Sequence, residues 1–332
     1  MAQAVSLERA TAWVAGIFAA AGARDVVAAS VARALVGAEA DGLAGHGLSR
    51  IPTYLAMLEA GKIDGQAHPV ATRPRPGVLA IDAADGFSYP AIDLAIAELP
   101  AIASAQGIAA AAISRSSHCG AAGLHVERLA EAGLVALLFA NTPEAIAPWG
   151  GRKAVFGTNP VAFAAPLPGR APVVVDLALS KVARGNVVAA RQKSQSIPEG
   201  WALDAEGRPT TDPAAALAGT MVALGDAKGT ALALMVEVLA AALVGAHFAF
   251  EASSFLDAEG GPPRTGQLIL AIDSAGFGGA AGFGERMTLL AKAIEDQPGA
   301  RLPGSRRLAL RAGAKAEGLA LPQALVERFG PA

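Results

Sequence analysis

The sequence predicts an α/β fold, and three features carry that prediction. Apolar runs of strand length alternate with a helical stretch between residues 108 and 140. Hydrophobic residues make up 53% of the 332, which supplies a packed core and excludes a disordered chain. That length exceeds one small core and fits one large domain or two to three sub-domains.

Taken in order, residues 6–40 predict two helices. Ser6 caps the first, Gly22 ends it, and Asp25 caps the second. After a break at 41–47, Pro52 sits where a first-turn proline is tolerated, and the helix it opens stops at Gly61. Residues 62–77 are rich in proline and charge and predict a loop. Val78–Asp82 is a short strand, and residues 91–106 form a helix leading to Gly107. The alternation follows: a strand at 108–113, a polar turn at 114–119, a helix at 121–132 and a strand at 134–140. Two more strands fall at 161–165 and 173–177. The polar stretch 184–215 holds three prolines and predicts a long, partly mobile excursion. A helix at 229–245, a strand at 267–273, a glycine-rich connection at 276–284, a helix at 287–296 and a short helix at 322–329 complete the chain.

Charge and composition exclude several functions. The 27 basic and 29 acidic residues give a net charge of −2, with no basic run to serve as a nucleic-acid footprint. The single cysteine, Cys119, excludes a disulfide framework and a thiolate zinc cluster. No H-x-x-x-H or carboxylate cluster points to a metal. The first ten residues lack a basic segment followed by an apolar one, as a secretory signal would need. The apolar run 230–250 is nearly long enough to span a bilayer, but Glu237 sits near its centre, so a buried helix is expected. The expectation is a soluble, cytoplasmic protein.

The usual dinucleotide fingerprint is missing after any early strand. Its nearest approach, Gly276–Ala281, comes too late for a Rossmann half to follow and reads as a connecting loop. Other residues carry chemistry. His46 and Arg50 lie four apart in AGHGLSRIPTY and share a face if that segment is helical. An imidazole delivers protons near neutral pH and a guanidinium grips a carboxylate; the alternative is an ordinary surface pair. His118, in SSHCGAAG, occupies a strand-to-helix turn, where exposed N–H groups bind anions or merely connect elements. A Cys119–His118 nucleophile is excluded, since sequence neighbours seldom face each other and no second base is evident. The stretch FGTNPVAF with PWGG upstream is either a set of turns or a cradle of backbone and amide groups for a planar ligand. Asp176, at a strand end, either orients a histidine or caps the helix beginning near Ser180. Lys228 stands at a helix N-terminus, against the helix dipole, which points to an anion nearby. Three arginines at 301, 306 and 307 surround a Pro-Gly turn and are either solvated or phosphate-binding.

These segments together identify a family resemblance. DGLAGHGLSRIPTY, SSHCGAAG, APWGGRKAVFGTNPVAF, VVVDLALSKVARG, DAKGTALALMVEVLAA and RLPGSRR resemble the non-Rossmann malate/L-lactate dehydrogenase family over nearly the whole chain. That group includes ureidoglycolate, sulfolactate and diketogulonate enzymes and the Δ1-piperideine-2-carboxylate/Δ1-pyrroline-2-carboxylate reductases, to which the chain looks most similar. The resemblance implies an NAD(P)-binding domain built on a largely antiparallel sheet, residues 113–282. A helical substrate and dimerisation domain would comprise 1–112 and 283–332, in a homodimer. It assigns His46 as proton donor, Asp176 as its supporting carboxylate, and Arg50 and Thr158 as substrate ligands. Cofactor contacts fall on His118, Cys119, Gly120, Ala121, Ala122, Asp176, Leu177, Ala178, Lys228, Arg301, Gly304, Arg306 and Arg307. The cofactor would be NADPH, favoured by the arginine loop, or NADH. Gly45 stands where the family carries a serine before the histidine, and Ala227 where some members carry histidine.

The expected activity is hydride transfer to C2 of a small 2-imino or 2-oxo acid. The alternatives are a 2-hydroxy acid dehydrogenase acting on malate, lactate or sulfolactate, and a nucleotide-binding homologue without activity.

Overall fold

The computed structural model describes residues 4–332, and its centre is a seven-stranded sheet. The strands are β2 (Val70–Arg75), β3 (Val78–Asp82), β4 (Ile108–Ser116), β5 (Val135–Ala140), β6 (Val161–Leu167), β7 (Arg170–Leu177) and β11 (Thr265–Ile272). Their spatial order is β2-β3-β4-β11-β5-β6-β7. Only β3 and β4 pair in parallel; every other pairing in this sheet is antiparallel. The parallel pair requires a crossover, which α4 (Ser88–Gln106) supplies. Helix α5 (Ala122–Glu131) connects β4 to β5, and β11 inserts between those two strands, antiparallel to both. The predicted strand–helix–strand alternation is present in the chain, yet the sheet it builds is mostly antiparallel.

One face of the sheet packs against α4 and α5, with Ile81, Leu99, Val126, Leu138 and Ile269 in the shared core. The other face is covered by α8 (Ala227–Glu237) and the π turn that extends it through Ala242, with Phe139, Val236 and Leu268 in contact. A third core joins α1 (Leu7–Ala20), α2 (Asp25–Ala40) and α3 (Ile51–Glu59) to the C-terminal α11 (Gln323–Phe329). There the two-residue strands β1 (Ala4–Val5) and β12 (Leu319–Ala320) pair antiparallel and bring the two ends of the chain together. The expected divisions after 112 and 282 fall inside β4 and inside α9 (Ala280–Glu295).

Several local expectations hold. Ser6 accepts the Arg9 N–H and caps α1. Pro52 lies in the first turn of α3, and Gly107 ends α4 with φ +80°. Others are corrected. Asp25 is the first residue of α2, whose N-cap is Arg24. The loop expected at 62–77 contains β2, an exposed edge strand that tolerates Pro74 because its outer side needs no donor. The excursion expected at 184–215 is a folded lobe. With the residues just after it, the lobe holds α6 (Arg184–Gln192), β8 (Ala202–Leu203), β9 (Pro209–Thr210), α7 (Pro213–Ala218) and β10 (Thr220–Met221), whose strands form a three-stranded sheet. A few apolar anchors suffice, with Val187, Ile197, Ala202, Ala216 and Met221 all buried. The helix expected at 229–245 is buried on one side only; Leu232, Leu234, Met235, Val238 and Leu243 are exposed. The arginine segment after Gly304 is helical, forming α10 (Ser305–Glu317), with Gly304 left-handed at φ +83°. No helix of the described residues is long and apolar enough to cross a membrane.

Candidate active site

Between α2 and α3 the chain makes two short 3-10 turns, Ala44–His46 and Leu48–Arg50, rather than the expected continuous helix. Gly47 joins them, and a Cβ there would strike the Glu39 carboxylate and backbone. Glu39 Oε2 accepts the Leu48 N–H at 2.8 Å, which fixes the second turn. This places His46 beside Arg50. The Arg50 Nε donates to the Gly45 carbonyl at 2.7 Å and Nη1 to the Phe255 carbonyl at 3.3 Å. Among the described residues no carboxylate pairs with Arg50, so part of its donor fork is uncommitted. Burial, and then the Arg50 charge, pulls the His46 pKa down to about 4. Its Nδ1 is buried without a hydrogen-bond partner.

The His46 ring stacks on that of His118, with centroids 5.3 Å apart and planes inclined by 24°. The resemblance assigns His118 to a cofactor turn; the structure also packs its ring against His46. Its Nδ1 lies 2.7 Å from the Tyr54 hydroxyl, which lies 2.9 Å from the Tyr89 hydroxyl. All three groups are buried, and desolvation holds His118 well below its ordinary pKa and pushes Tyr54 up to about 12. Phe255 also packs against His118, at 5.2 Å between ring centres with planes inclined by 50°. Tyr54, Tyr89 and Phe255 escaped the sequence reading. The only available signal was the tyrosine eight residues after His46, on the helix that follows.

The turn after His118 leads into α5. Gly120 is left-handed at φ +67°, and a Cβ there would press on the Tyr89 hydroxyl. Cys119 is buried, and burial followed by the charge of Asp176 pushes its thiol up to about 12, which leaves it no nucleophilic character near neutral pH. Ala121 is the N-cap of α5 and offers no side-chain acceptor. Asp176 does that work from β7: its Oδ2 accepts the Gly123 N–H at 2.8 Å. No hydrogen bond joins Asp176 to His46, and the helix it caps is α5, not one beginning near Ser180.

Neighbouring backbone continues this surface. Leu177 and Ala178 follow Asp176, and Leu179 N–H donates to the Thr158 carbonyl at 2.7 Å. Leu224 N–H donates to the Leu179 carbonyl at 2.8 Å, and Ser180 pairs with Ala223. Lys228, exposed at the start of α8, is thereby tied to residues 176–180. Gly304 lies against β7, where a Cβ would contact the Val174 carbonyl at 3.4 Å. Residues 118–123, 176–180, 228 and 304 thus share one connected region of the molecule.

Thr158 is held from beneath. Its N–H donates to Thr142 Oγ1 at 2.9 Å. Asn159 Nδ2 donates to Glu237 Oε2 at 2.8 Å, and Asn141 Nδ2 and the Ala249 N–H donate to Oε1 at 3.2 and 2.6 Å. Glu237, read as an interruption of an apolar helix, is a buried carboxylate satisfied by amides, with its pKa raised by burial.

The three arginines divide. Arg307 Nη1 and Nη2 bond Glu127 at 2.7 and 2.8 Å, and Nη1 also bonds Asp41 at 2.8 Å. Arg311 joins the same two carboxylates, so this part of the expected loop is a partly buried ionic link between α10, α5 and the end of α2. Arg301 and Arg306 are exposed without an acidic partner among the described residues, and they border a cleft of about 370 Å³ shared with Gly42 and Leu43. An unpaired guanidinium pair lining one cleft with the Gly304 turn fits the phosphate of a dinucleotide.

The family model for malate/L-lactate dehydrogenase matches residues 5–329, and the chain belongs to that family. It is 50% identical over 331 residues to the (2R)-3-sulfolactate dehydrogenase (NADP(+)) of Chromohalobacter salexigens, covering 99% of this chain and 98% of that one. It is 42% identical over 312 residues to a Δ1-pyrroline-2-carboxylate/Δ1-piperideine-2-carboxylate reductase of Pseudomonas putida, covering 92% and 90%. The crystal structure of Δ1-piperideine-2-carboxylate reductase from Pseudomonas syringae superposes with a TM-score of 0.93 at 38% identity, over 99% of both chains. The protein is an NAD(P)-dependent oxidoreductase on a fold that lacks the Rossmann fingerprint.

Proposed function

We propose that the protein catalyses hydride transfer between NADPH, or NADH, and C2 of a small 2-imino or 2-oxo acid. The observation that carries this reading is Arg50, which lies beside a histidine pair and has no carboxylate of its own. A substrate carboxylate would occupy its free donors in a charge-assisted contact. Thr158, braced by Thr142, would contact the same substrate. The bound nicotinamide supplies the hydride; the chain orients the substrate and moves the proton.

His46 is the proposed proton donor. At neutral pH it is uncharged in the free protein, because burial and Arg50 both oppose its charge. A bound carboxylate would offset the Arg50 charge and raise the His46 pKa part of the way, while burial keeps it below its ordinary value, so the proton reaches the developing oxygen or nitrogen anion from a minor protonated fraction of His46. General acid assistance of this kind contributes about 10²–10⁴-fold. His118 is the second candidate, supported by its Tyr54 hydrogen bond. His46→Ala and His118→Ala, compared at saturating cofactor, separate the two: the donor's variant loses kcat, and wild-type turnover in His46→Ala would end its assignment.

Arg301 and Arg306 support NADPH over NADH through a bound 2′-phosphate. Their replacement by alanine should raise the KM for NADPH and leave that for NADH. Arg307 is a weaker phosphate ligand because two acids already hold it. The helical part would carry the substrate groups and the sheet the cofactor, in a cytoplasmic homodimer. The exposed apolar side of α8 supports a subunit interface.

Substrate identity divides two ways. The piperideine-2-carboxylate reductase structure supports a cyclic imine. The 50% identity to a sulfolactate dehydrogenase supports a 2-hydroxy acid read in the oxidative direction, with sulfopyruvate as the reducible partner. Cofactor oxidation with Δ1-piperideine-2-carboxylate, Δ1-pyrroline-2-carboxylate, pyruvate, oxaloacetate and sulfopyruvate decides between them. Silence across the panel, with cofactor affinity retained, would instead favour a nucleotide-binding homologue.

A further inference from the structure

Lys62 is 1% exposed, and its side chain is fully buried. A lysine ammonium is rarely placed there unless its donors are all engaged. Nζ donates to three backbone carbonyls, of Ser254 at 2.7 Å, Asp257 at 3.2 Å and Glu259 at 2.5 Å. The Asp257 carboxylate lies 3.5 Å away. All three acceptors sit on residues 253–261, a segment without helix or strand. Its other internal bonds are local, such as the Ser253 hydroxyl to the Gly261 carbonyl at 2.7 Å. The ammonium therefore occupies the place a bound cation would take in a ring of carbonyls, and the loop is shaped around it.

The same loop forms part of the site. Phe255 is buried, its ring packs on His118, and its carbonyl accepts Arg50 Nη1. Lys62 itself is anchored just beyond α3, where its N–H donates to the Met57 carbonyl at 2.9 Å. Helix α3 carries Tyr54, the partner of His118. We infer that Lys62 is a positioning residue: its ammonium locks residues 253–261 onto the end of α3, so that Phe255 backs His118 and orients Arg50. The functional consequence rests on the proposal that Arg50 receives the substrate carboxylate.

The test is Lys62→Met, which keeps the length and removes the donors, together with Phe255→Ala and the double variant. Lys62→Met should raise the substrate KM about tenfold or more while kcat falls by less, and hydrogen exchange should rise selectively in 253–261. Phe255→Ala removes the ring contact to His118 and keeps the carbonyl that holds Arg50, so the double variant should lose less than the product of the single losses, because the ring contact is lost only once. Lys62→Arg should restore part of the lost KM. Where Lys62→Met does not fold, Lys62→Arg and Phe255→Ala are read in the same way against wild type. An unchanged KM, uniform exchange across the chain, or losses that multiply in the double variant would each overturn the inference. Arg50→Met separates the two ideas. If that variant leaves KM unchanged the carboxylate reading fails, whereas selective exchange in 253–261 still decides whether Lys62 holds the loop.

Discussion

Arg50→Met should produce two effects that a merely structural arginine would not combine. In the free protein Nε is committed to the Gly45 carbonyl and Nη1 to that of Phe255, which leaves Nη2 and the outer Nη1 hydrogen for a carboxylate. Two charge-assisted bonds, discounted for the water they replace, are worth about 3 kcal/mol, or roughly two orders of magnitude in kcat/KM. Most of that loss should appear in KM. The second effect concerns His46. The Arg50 charge is the smaller of the two causes that lower its pKa, and burial is the larger. Without Arg50 the His46 pKa should rise from about 4 but stay below its ordinary value of 6.5, because burial persists. Steady-state kinetics on the best substrate and an NMR titration of the His46 ring protons read the two effects separately. A kcat/KM within about threefold of wild type would rule out a carboxylate-binding Arg50, and a His46 pKa that does not rise would rule out its charge acting on His46.

Three further outcomes follow from other parts of the molecule. His46 titrates in the unfolded chain near 6.5 but in the fold only near 4, so stability is retained above that window and lost as pH falls through it; the full difference approaches about 3 kcal/mol, readable in urea midpoints between those pH values. Glu237→Ala leaves the Ala249 N–H without its acceptor and the Asn141 and Asn159 amides with only the His247 and Ala233 carbonyls, which should cost about 2 kcal/mol in chemical denaturation and loosen Thr158. Gly45→Ser meets no atom within 4 Å of the new Cβ, so its melting temperature should match wild type, and any change in turnover belongs to the hydroxyl placed beside His46.

Local pattern accounts for much of what was legible. The spacing of His46 and Arg50 places the imidazole beside the guanidinium even though the segment is 3-10 rather than α-helical. The strands at 108–113, 134–140 and 267–273 were read from apolar runs, because central strands bury both faces. Their order was not readable in this way. That β11 lies between β4 and β5 depends on pairing across more than a hundred residues, and only the family resemblance implied an antiparallel sheet. The site showed the same division. Tyr54 reaches His118 across 64 residues, Asp176 caps α5 across 53, and Lys62 holds carbonyls more than 190 residues away. None of these contacts has a local period. Helix α10 was hidden because its arginines resemble a solvated loop, while Arg307 and Arg311 turn inward to Asp41 and Glu127.

The proposed chemistry depends most on a substrate carboxylate meeting Arg50. The direct measurement compares NADPH consumption on the best 2-oxo or 2-imino acid with that on its carboxamide, which keeps the reacting carbon and loses the anion. Turnover is expected on the acid and a loss of roughly two orders of magnitude in kcat/KM on the amide, a gap that Arg50→Met should largely abolish. Equal turnover of acid and amide by the unaltered enzyme would contradict it.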